Sequence, residues 1–369
     1  MIAPVLTDRA LGRATLARQH LLRRSSTDAL TMIEHLLGLQ AQAPLAPYFA
    51  LWTRIRTFRP EALSDLLESR AVVRIALMRG TVFAVSGADA HALRPWVQPV
   101  LDRGVDANKA HRVGLHGLDR PALVSVAREL LAGTPRSQAE LRPLLAERFP
   151  DQDPAALSHA VRCLLPLVQV PPRGLWGRSG QPRLAHLDEY VGAPAALPVP
   201  DRLLLRYLGA FGPASVRDAQ TWCGLTRLVE IFDRLRPQLV VFRDARGVEL
   251  FDLPDAPRPD PSAPAPVRIL APFDNVLLSH SDRTRFVSDG DRTRIMTQNG
   301  IIAPLLLVGG TVAGSARVIT DGATAAVEMA PWRTITASVR SALEAEGMRL
   351  LSFAAPEADT HDVRFLETA

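Results

Sequence analysis

The amino-acid sequence predicts an α+β fold: three tandem winged-helix units, expected to form a concave basic cleft, followed by a C-terminal α+β module. The prediction rests on a repeated order of amphipathic helical segments and paired short strands. A proline-rich stretch then separates this repetition from a strand-rich tail. The predicted boundaries are residues 1–118, 119–200, 201–258 and 259–369.

The first unit combines helices with a two-stranded wing. Residues 72–74 and 80–85 are predicted as the strands of the wing because they are rich in β-branched and aromatic side chains. Apolar periodicity predicts helices over residues 7–19, 28–40, 60–69 and 88–101.

The second unit is predicted from its helix starts. Ser137, followed three residues later by Glu140, has the pattern of a capping box, and Asp153-Pro154 is typical of a helix start. Two short apolar runs then flank a turn, which predicts a second wing. These runs cover residues 164–171 and 184–187, and residues 192–200 are a linker by composition.

The third unit has the clearest helix-turn-helix pattern. After a helix over residues 201–211, Ser215 caps a helix that runs through Trp222 and is broken by Gly224. Thr226 is predicted to cap the next helix, which runs to residue 236. Residues 239–243 and 248–253 then pair as a hairpin with glycine in the turn.

The tail begins with a proline-rich connector over residues 253–267. The turn pairs Gly309-Gly310 and Asp321-Gly322 predict hairpins between its strands. Strands are predicted at residues 267–270, 300–308, 311–320 and 323–329, and a helix at residues 335–346.

Composition indicates a soluble globular protein. The 369 residues are 47% hydrophobic and 22% charged, and no apolar run approaches the roughly 18 residues that span a bilayer. The first residues lack the pattern of a secretory signal, so we expect a cytoplasmic protein without membrane contact. Cys163 and Cys223 lie in apolar or aromatic surroundings without metal-ligand spacing. We therefore expect buried thiols, no metal and no cofactor.

The positive charge is carried almost entirely by arginine. The net charge is +5 and the only lysine is Lys109. Guanidinium groups suit bidentate contacts with phosphate, which favours a polyanionic partner. A genome rich in G and C would produce the same bias, so charge alone does not identify nucleic acid.

Two glutamines stand inside an apolar run at the end of the second predicted helix. Pro44 disfavours helix in the residue before it, so the helix is expected to end at residues 40–43. If the chain is extended there, Gln40 and Gln42 share one face and their amides aim at one point. The alternative is that both amides satisfy loose carbonyls at the helix end.

The segment LGLQAQAPLAPYFALWTRI, residues 37–55, resembles the signature of the AlkZ-type DNA glycosylases. The catalytic motif of that winged-helix superfamily is glutamine, an apolar residue and glutamine, which Gln40, Ala41 and Gln42 match position for position. The resemblance implies a monofunctional DNA glycosylase with Gln40 and Gln42 as catalytic residues, and it supports the threefold repetition. It extends over nearly the whole chain, through residues 78–101, 211–225, 270–285 and 350–365.

The motif also implies a substrate class, namely cationic N7-alkylpurines and, as a further expectation, the linked bases of interstrand crosslinks. A purine alkylated at N7 already carries positive charge and leaves as a neutral molecule, so no general acid is needed. A glutamine carbonyl orients water and its NH2 donates a hydrogen bond. No lysine lies near the motif, so no Schiff-base lyase step is expected.

Several basic residues are predicted to contact duplex DNA that contains alkylated purines. His280, Arg283 and Arg285 supply donors within one short segment, and a solvated basic loop is the alternative. Arg79 precedes the glycine of the first wing and is expected to be exposed, and Arg317 lies in a late hairpin. Asp274 is the best carboxylate for a general base, unless it only orders its turn.

Other functions remain open on the sequence. A non-catalytic winged-helix transcription regulator has the same fold, since folds do not decide function. A degenerate relative that protects its host by sequestering a genotoxin is a third possibility. The expected oligomeric state is a monomer.

Overall fold

A computed structural model of the protein describes residues 3–194, 199–296 and 300–367, and it is a mixture of helices and sheets, as the predicted α+β class requires. The α-helices are α1 (Asp8–Arg18), α2 (Ala29–His35), α3 (Ala46–Arg54), α4 (Glu61–Glu68), α5 (Gly87–Trp96), α6 (Gln98–Ala107), α7 (Arg120–Leu131), α8 (Gln138–Arg148), α9 (Pro154–Leu164), α10 (Leu187–Val191), α11 (Pro200–Phe211), α12 (Val216–Cys223), α13 (Val229–Leu235), α14 (Asn275–Leu278) and α15 (Ala337–Ala354). The strands are β1 (Val5–Leu6), β2 (Leu39–Gln40), β3 (Val72–Ala76), β4 (Val82–Ser86), β5 (Arg136–Ser137), β6 (Leu167–Val170), β7 (Arg183–His186), β8 (Val240–Asp244), β9 (Glu249–Asp252), β10 (Arg268–Leu270), β11 (Leu305–Val308), β12 (Thr311–Asp321), β13 (Thr324–Pro331) and β14 (Thr360–Phe365).

Local capping and turn signals located many of these elements correctly. The Ser137 hydroxyl accepts from the Glu140 backbone N–H while the Glu140 carboxylate accepts from the Ser137 backbone N–H, which is the predicted capping box. Gly224 ends α12 in the left-handed conformation, with a φ of 83°. Residues 253–267, all of them described, run without helix or strand, as predicted. Residues 195–198 of the predicted linker lie outside the described residues.

The helix predicted over residues 88–101 divides at Val97 into α5 and α6, and the strand predicted over residues 300–308 begins at Leu305. Three further predicted bounds are wrong, each for a physical reason. The helix predicted over residues 28–40 ends at His35, because the chain turns through left-handed residues before reaching the glutamines. The last helix continues through Gly347, where a Cβ would lie 2.6 Å from Met329 Cε, so this glycine permits close packing and does not end the helix. The third error is Thr226, because α13 begins at Val229 with Leu228 at its N-cap. Helix α3 and strand β14 were not predicted.

One six-stranded sheet joins the two predicted N-terminal units. Its order is β2-β4-β3-β6-β7-β5, and the central β3–β6 pair aligns Arg74 with Gln169 and Ile75 with Val168. The sheet therefore crosses the predicted boundary at residue 118. Strand β1 pairs in parallel with β8, so the N-terminus also joins the hairpin of the third predicted unit. The winged-helix units and their boundaries stay predictions.

The C-terminal residues form a second mixed layer. A five-stranded sheet, β10-β11-β12-β13-β14, is antiparallel except for β13–β14, which pair in parallel and are connected by α15. Such a parallel pair needs a crossover, which the helix supplies. No helix among the described residues is both long and apolar enough to cross a membrane.

A shared apolar core connects the glutamine segment with the third predicted unit. Phe83 of β4, Tyr207 of α11 and Trp222 of α12 are buried in the same cluster, and the Tyr207 and Trp222 rings stack 4.8 Å apart. Because Gln40 pairs with Phe83, the backbone of the segment is attached to this core.

We predict that Gly38→Ala destabilises the fold more than Gly247→Ala does. Gly38 has a φ of 94° and a Cβ there would lie 2.3 Å from Val85 Cγ1, whereas Gly247 has a φ of 84° and open space. Gly247→Ala is the control, and its left-handed backbone should lower the free energy of unfolding by about 1–2 kcal/mol. Gly38→Ala should lower it by about 1–3 kcal/mol more, because the new methyl group overpacks the core. Urea unfolding measures both, and equal costs would contradict the predicted clash.

Candidate active site around Gln40 and Gln42

A left-handed turn delivers the glutamines to the edge of the first sheet. Leu37 and Gly38 have φ angles of 54° and 94°, and the Gly38 N–H donates to the Ile33 carbonyl at 2.9 Å. This bond closes the end of α2 in the manner of a Schellman turn. Asn275 Nδ2 donates to the Gly38 carbonyl at 2.7 Å. The chain therefore enters β2 extended. An extended conformation was predicted for Gln40, although the helix ends earlier than expected.

The backbone between the two glutamines is held from both sides. The Ala41 N–H donates to the Val82 carbonyl at 2.7 Å, and Arg74 Nη2 donates to the Ala41 carbonyl at 3.0 Å. Arg74 Nη1 also donates to the Arg173 carbonyl at 3.0 Å. Burial, and to a smaller extent the Arg173 cation, lowers the pKa of Arg74 to about 10, so it stays protonated at neutral pH. The segment has little freedom to move.

The two glutamine side chains differ in exposure. Gln40 is only 6% exposed, and its Oε1 accepts a hydrogen bond from Arg79 Nη2 at 3.0 Å. Gln42 is exposed, and its Oε1 lies 3.5 Å from the Val82 backbone N, the outer limit of a hydrogen bond. Gln42 is thus the amide more accessible to water, and Gln40 is the one anchored by the protein.

Arg79 does not lie at an exposed wing tip as predicted. Its side chain is half-buried and Nη1 donates to the Trp222 carbonyl at 2.5 Å, while Nη2 holds Gln40. Desolvation lowers the pKa of Arg79 to about 10, with smaller effects from Cys223 and Arg283. The structure therefore brings Arg79 and Gln40 together, and both guanidinium ends are engaged by protein.

His280 and Arg285 are buried, which speaks against their predicted contact with DNA. Their exposed fractions are 1% and 5%. His280 Nε2 lies 2.9 Å from the Phe211 carbonyl and 3.2 Å from Arg285 Nη1, which also donates to the Pro213 carbonyl at 3.0 Å. Burial, with the neighbouring Arg285 cation, lowers the pKa of His280, so the ring is neutral. Sequence spacing gave no sign that these donors point inward.

Arg283 and Arg317 remain accessible to a ligand. Arg283 is half-buried, and among the described residues its guanidinium has neither a hydrogen bond nor an ion pair. Arg317 lies on β12, is 71% exposed in its side chain, and pairs with Glu328 on β13 at 2.6 Å. No contact within the described residues links Arg317 to Gln40 or Gln42.

Asp274 orders its turn, which was the alternative to a role as general base. Its carboxylate binds both ends of the Arg54 guanidinium, at 2.7 and 2.8 Å, and both side chains are fully buried. It also accepts from the Val276 N–H and so caps α14. A carboxylate occupied in this way is a poor candidate for a general base. It fixes the turn from which Asn275 holds Gly38.

The residues that hold the motif were not predicted from the sequence. Arg74 stands inside the otherwise apolar strand VVRIA, and a charged residue there is a detectable signal for a buried polar partner. Asn275 gave no comparable signal. Tyr48 and Trp52 are buried core residues, and the Tyr48 hydroxyl donates to the Gly174 carbonyl at 2.9 Å.

The two thiols are buried in the core. Cys163 and Cys223 are free and buried, as predicted, and burial raises the pKa of Cys223 to about 12. Over residues 3–194, 199–296 and 300–367, no group of three or more histidine, cysteine or carboxylate side chains could hold a metal ion.

Comparisons with known proteins show the family and the fold of this chain. The sequence model of a protein family described as DNA glycosylase AlkZ-like matches residues 33–353, which include both glutamines. Among solved structures, the Streptomyces sahachiroi DNA glycosylase AlkZ is similar to this chain with a TM-score of 0.80 and 19% sequence identity. The likeness covers 98% of this chain and 100% of that chain, and at this identity it shows the fold alone. No curated protein matches this chain.

We predict that Asp274→Asn lowers the free energy of unfolding by about 3–5 kcal/mol, because it leaves the buried Arg54 cation unpaired. Asp282→Asn is the matched control, since Asp282 is part-exposed and pairs with surface arginines. It should cost no more than about 1 kcal/mol. Urea unfolding decides whether Asp274 is the structural partner of Arg54 or a candidate general base. A stable Asp274→Asn protein without activity would restore the general-base alternative.

Proposed function

We propose, from the premise that this chain belongs to the family of AlkZ-like DNA glycosylases, that it excises cationic N7-alkylpurines from duplex DNA. As a member of that family it is a DNA glycosylase, a DNA repair enzyme that acts on DNA. The proposal extends to the linked bases of interstrand crosslinks, which present the same cationic purine. The supporting observation is the neutral, firmly held segment Gln40-Ala41-Gln42.

The polar contacts of this segment favour a substrate that needs no strong acid or base. Among the described residues, those that bond to residues 38–42 by side chain are Asn275, Arg74 and Arg79, and no carboxylate is one of them. A neutral damaged base needs protonation or a comparable stabilisation as it leaves. A base alkylated at N7 already carries that charge, so amide groups suffice.

The proposed reaction is hydrolysis at the anomeric carbon. The C1′–N9 bond breaks, and its electron pair stays with the purine, which leaves as a neutral molecule. Water forms the new C1′–O bond and releases its proton to solvent, which gives an abasic site. Gln42 orients this water through its exposed side chain, and Gln40 donates a hydrogen bond from its amide.

DNA contact is proposed for the accessible arginines. Among the described residues the Arg283 guanidinium has no hydrogen bond or ion pair, and its charge acts on Arg79, whereas Arg317 is exposed on a strand of the C-terminal sheet. Phosphate contacts of this kind position a duplex without reading its sequence. We further infer a monomeric, cytoplasmic enzyme that uses neither metal nor cofactor. The regulator alternative loses its support once the chain belongs to an enzyme family.

We predict that the purified protein releases free base from a duplex with one N7-methylguanine and leaves an alkali-labile abasic site. Chromatography of the base and gel analysis of alkali-treated DNA measure the two products. Borohydride should trap no covalent complex, because no lysine is near the motif. Release at only the spontaneous rate, from both this duplex and a crosslinked one, would exclude the proposed substrate class.

We predict that Gln42→Ala slows base release by about a hundredfold or more, because the positioned water is lost. Gln42 is exposed, so the same change should shift the free energy of unfolding by no more than about 0.5 kcal/mol. Gln40→Ala should also slow release. Gln42→Asp should retain or broaden activity, since a carboxylate acts as a true base. A fully active Gln42→Ala protein would refute the catalytic assignment.

A further inference from the structure

We propose that Arg79 is a positioning residue that fixes the Gln40 amide with its NH2 group toward the substrate and connects it to the end of α12. This inference rests on the proposed function, because it assigns a role within the same site. It differs from the sequence prediction for Arg79, which was direct contact with DNA.

The orientation of Gln40 follows from the chemistry of its partner. A guanidinium has donors and no acceptor, so the Gln40 atom 3.0 Å from Arg79 Nη2 must be the carbonyl oxygen. The usual ambiguity between the amide oxygen and nitrogen is therefore resolved. Gln40 Nε2 has no hydrogen bond within the described residues, and it is not among the buried atoms shielded from solvent. Gln40 thus presents donors to the nucleotide.

Arg79 is held in place by the third predicted unit. The Trp222 carbonyl that accepts from Arg79 Nη1 is in the last turn of α12, where helix carbonyls lack internal partners and carry partial negative charge. A Cβ on Gly224 would lie 3.4 Å from the Arg79 N and Cα atoms, so the two segments are in close contact. The helix end therefore anchors one side of the guanidinium while the other side anchors Gln40.

Both hydrogen-bond acceptors of Arg79 are neutral. Among the described residues it has no carboxylate partner, and its guanidinium carbon lies 5.4 Å from the centre of the Phe83 ring. An unneutralised cation on the Gln40 oxygen polarises the amide and strengthens its N–H donors. The site therefore favours an acceptor atom of the nucleotide opposite Gln40 Nε2.

Arg103 of α6 supplies a matched control because it also contacts the C-terminal end of α12. Its Nη2 donates to the Gly224 carbonyl at 2.7 Å, and the side chain is exposed. Arg103 thus binds the turn after α12 and has no bond to Gln40. Arg103→Met removes a similar contact without affecting the amide.

The test combines Arg79→Met with Gln40→Ala under single-turnover conditions on the N7-methylguanine duplex. Arg79→Met should slow base release roughly tenfold to a hundredfold, because a misplaced group loses most of its effect. In the Gln40→Ala background it should add less than about twofold, since residues that act through one another are non-additive. Arg103→Met should leave the rate unchanged. Gln40→Glu keeps an acceptor for Arg79 and loses the donor, so it should be as slow as Gln40→Ala.

Binding to undamaged duplex separates positioning from DNA contact. On the proposal, Arg79→Met leaves the Kd within about threefold and the salt dependence unchanged, whereas loss of a phosphate contact lowers the salt slope by about 1. A normal single-turnover rate with weaker, less salt-dependent binding would overturn the proposal. So would multiplicative rate losses in the double variant.

A readout without substrate distinguishes failure of this inference from failure of the proposed function. The side-chain amide resonances of Gln40 are assigned by NMR through their loss in Gln40→Ala. They should shift in Arg79→Met and remain in place in Arg103→Met. If the wild-type protein releases no base but the Gln40 resonances shift in Arg79→Met, the proposed function is wrong and the positioning role of Arg79 is supported. Unshifted resonances would reject the positioning even in an active enzyme.

Discussion

The site depends on a change of backbone direction at Leu37 and Gly38. Without this left-handed turn, α2 would continue and its 3.6-residue period would point Gln40 and Gln42 in different directions. The turn instead ends the helix and brings Gln40 into register with Phe83. The contacts at Ala41 then fix the backbone between the glutamines. A constraint on two residues thus determines where the amides lie.

Buried polar contacts join distant parts of the chain, some of them at this segment. Helix α1 binds the hairpin of the third predicted unit through the fully buried pair Arg18–Asp252, at 2.6 Å. The pair Arg54–Asp274 orders the turn that supplies Asn275, and Trp222 reaches the site through Arg79. A buried ion pair is weak support for stability because desolvation offsets its attraction. Both pairs are better understood as fixing how these segments fit together.

Sequence patterns located the local features and missed the long-range ones. Caps at Ser137 and Ser215 were correct because their partners lie three residues away. The extended conformation at Gln40 followed from Pro44 and apolar spacing, although the end of the helix was misplaced. The burial of His280 and the engagement of Arg79 depend on residues 69 and 143 positions away, which no local pattern contains. Family resemblance made Gln40 and Gln42 candidate site residues, whereas composition did not.

The pairing of β3 with β6 has a consequence for cutting the chain. Strand β3 is buried along its whole length, and β6 covers the edge opposite β4. A fragment that ended at residue 118 would leave that edge unpaired, with a row of free amide and carbonyl groups beside apolar side chains. Such edges recruit strands from other molecules and promote aggregation. We therefore expect the glutamine-bearing portion, cut out on its own, to aggregate, whatever chemistry that portion contains.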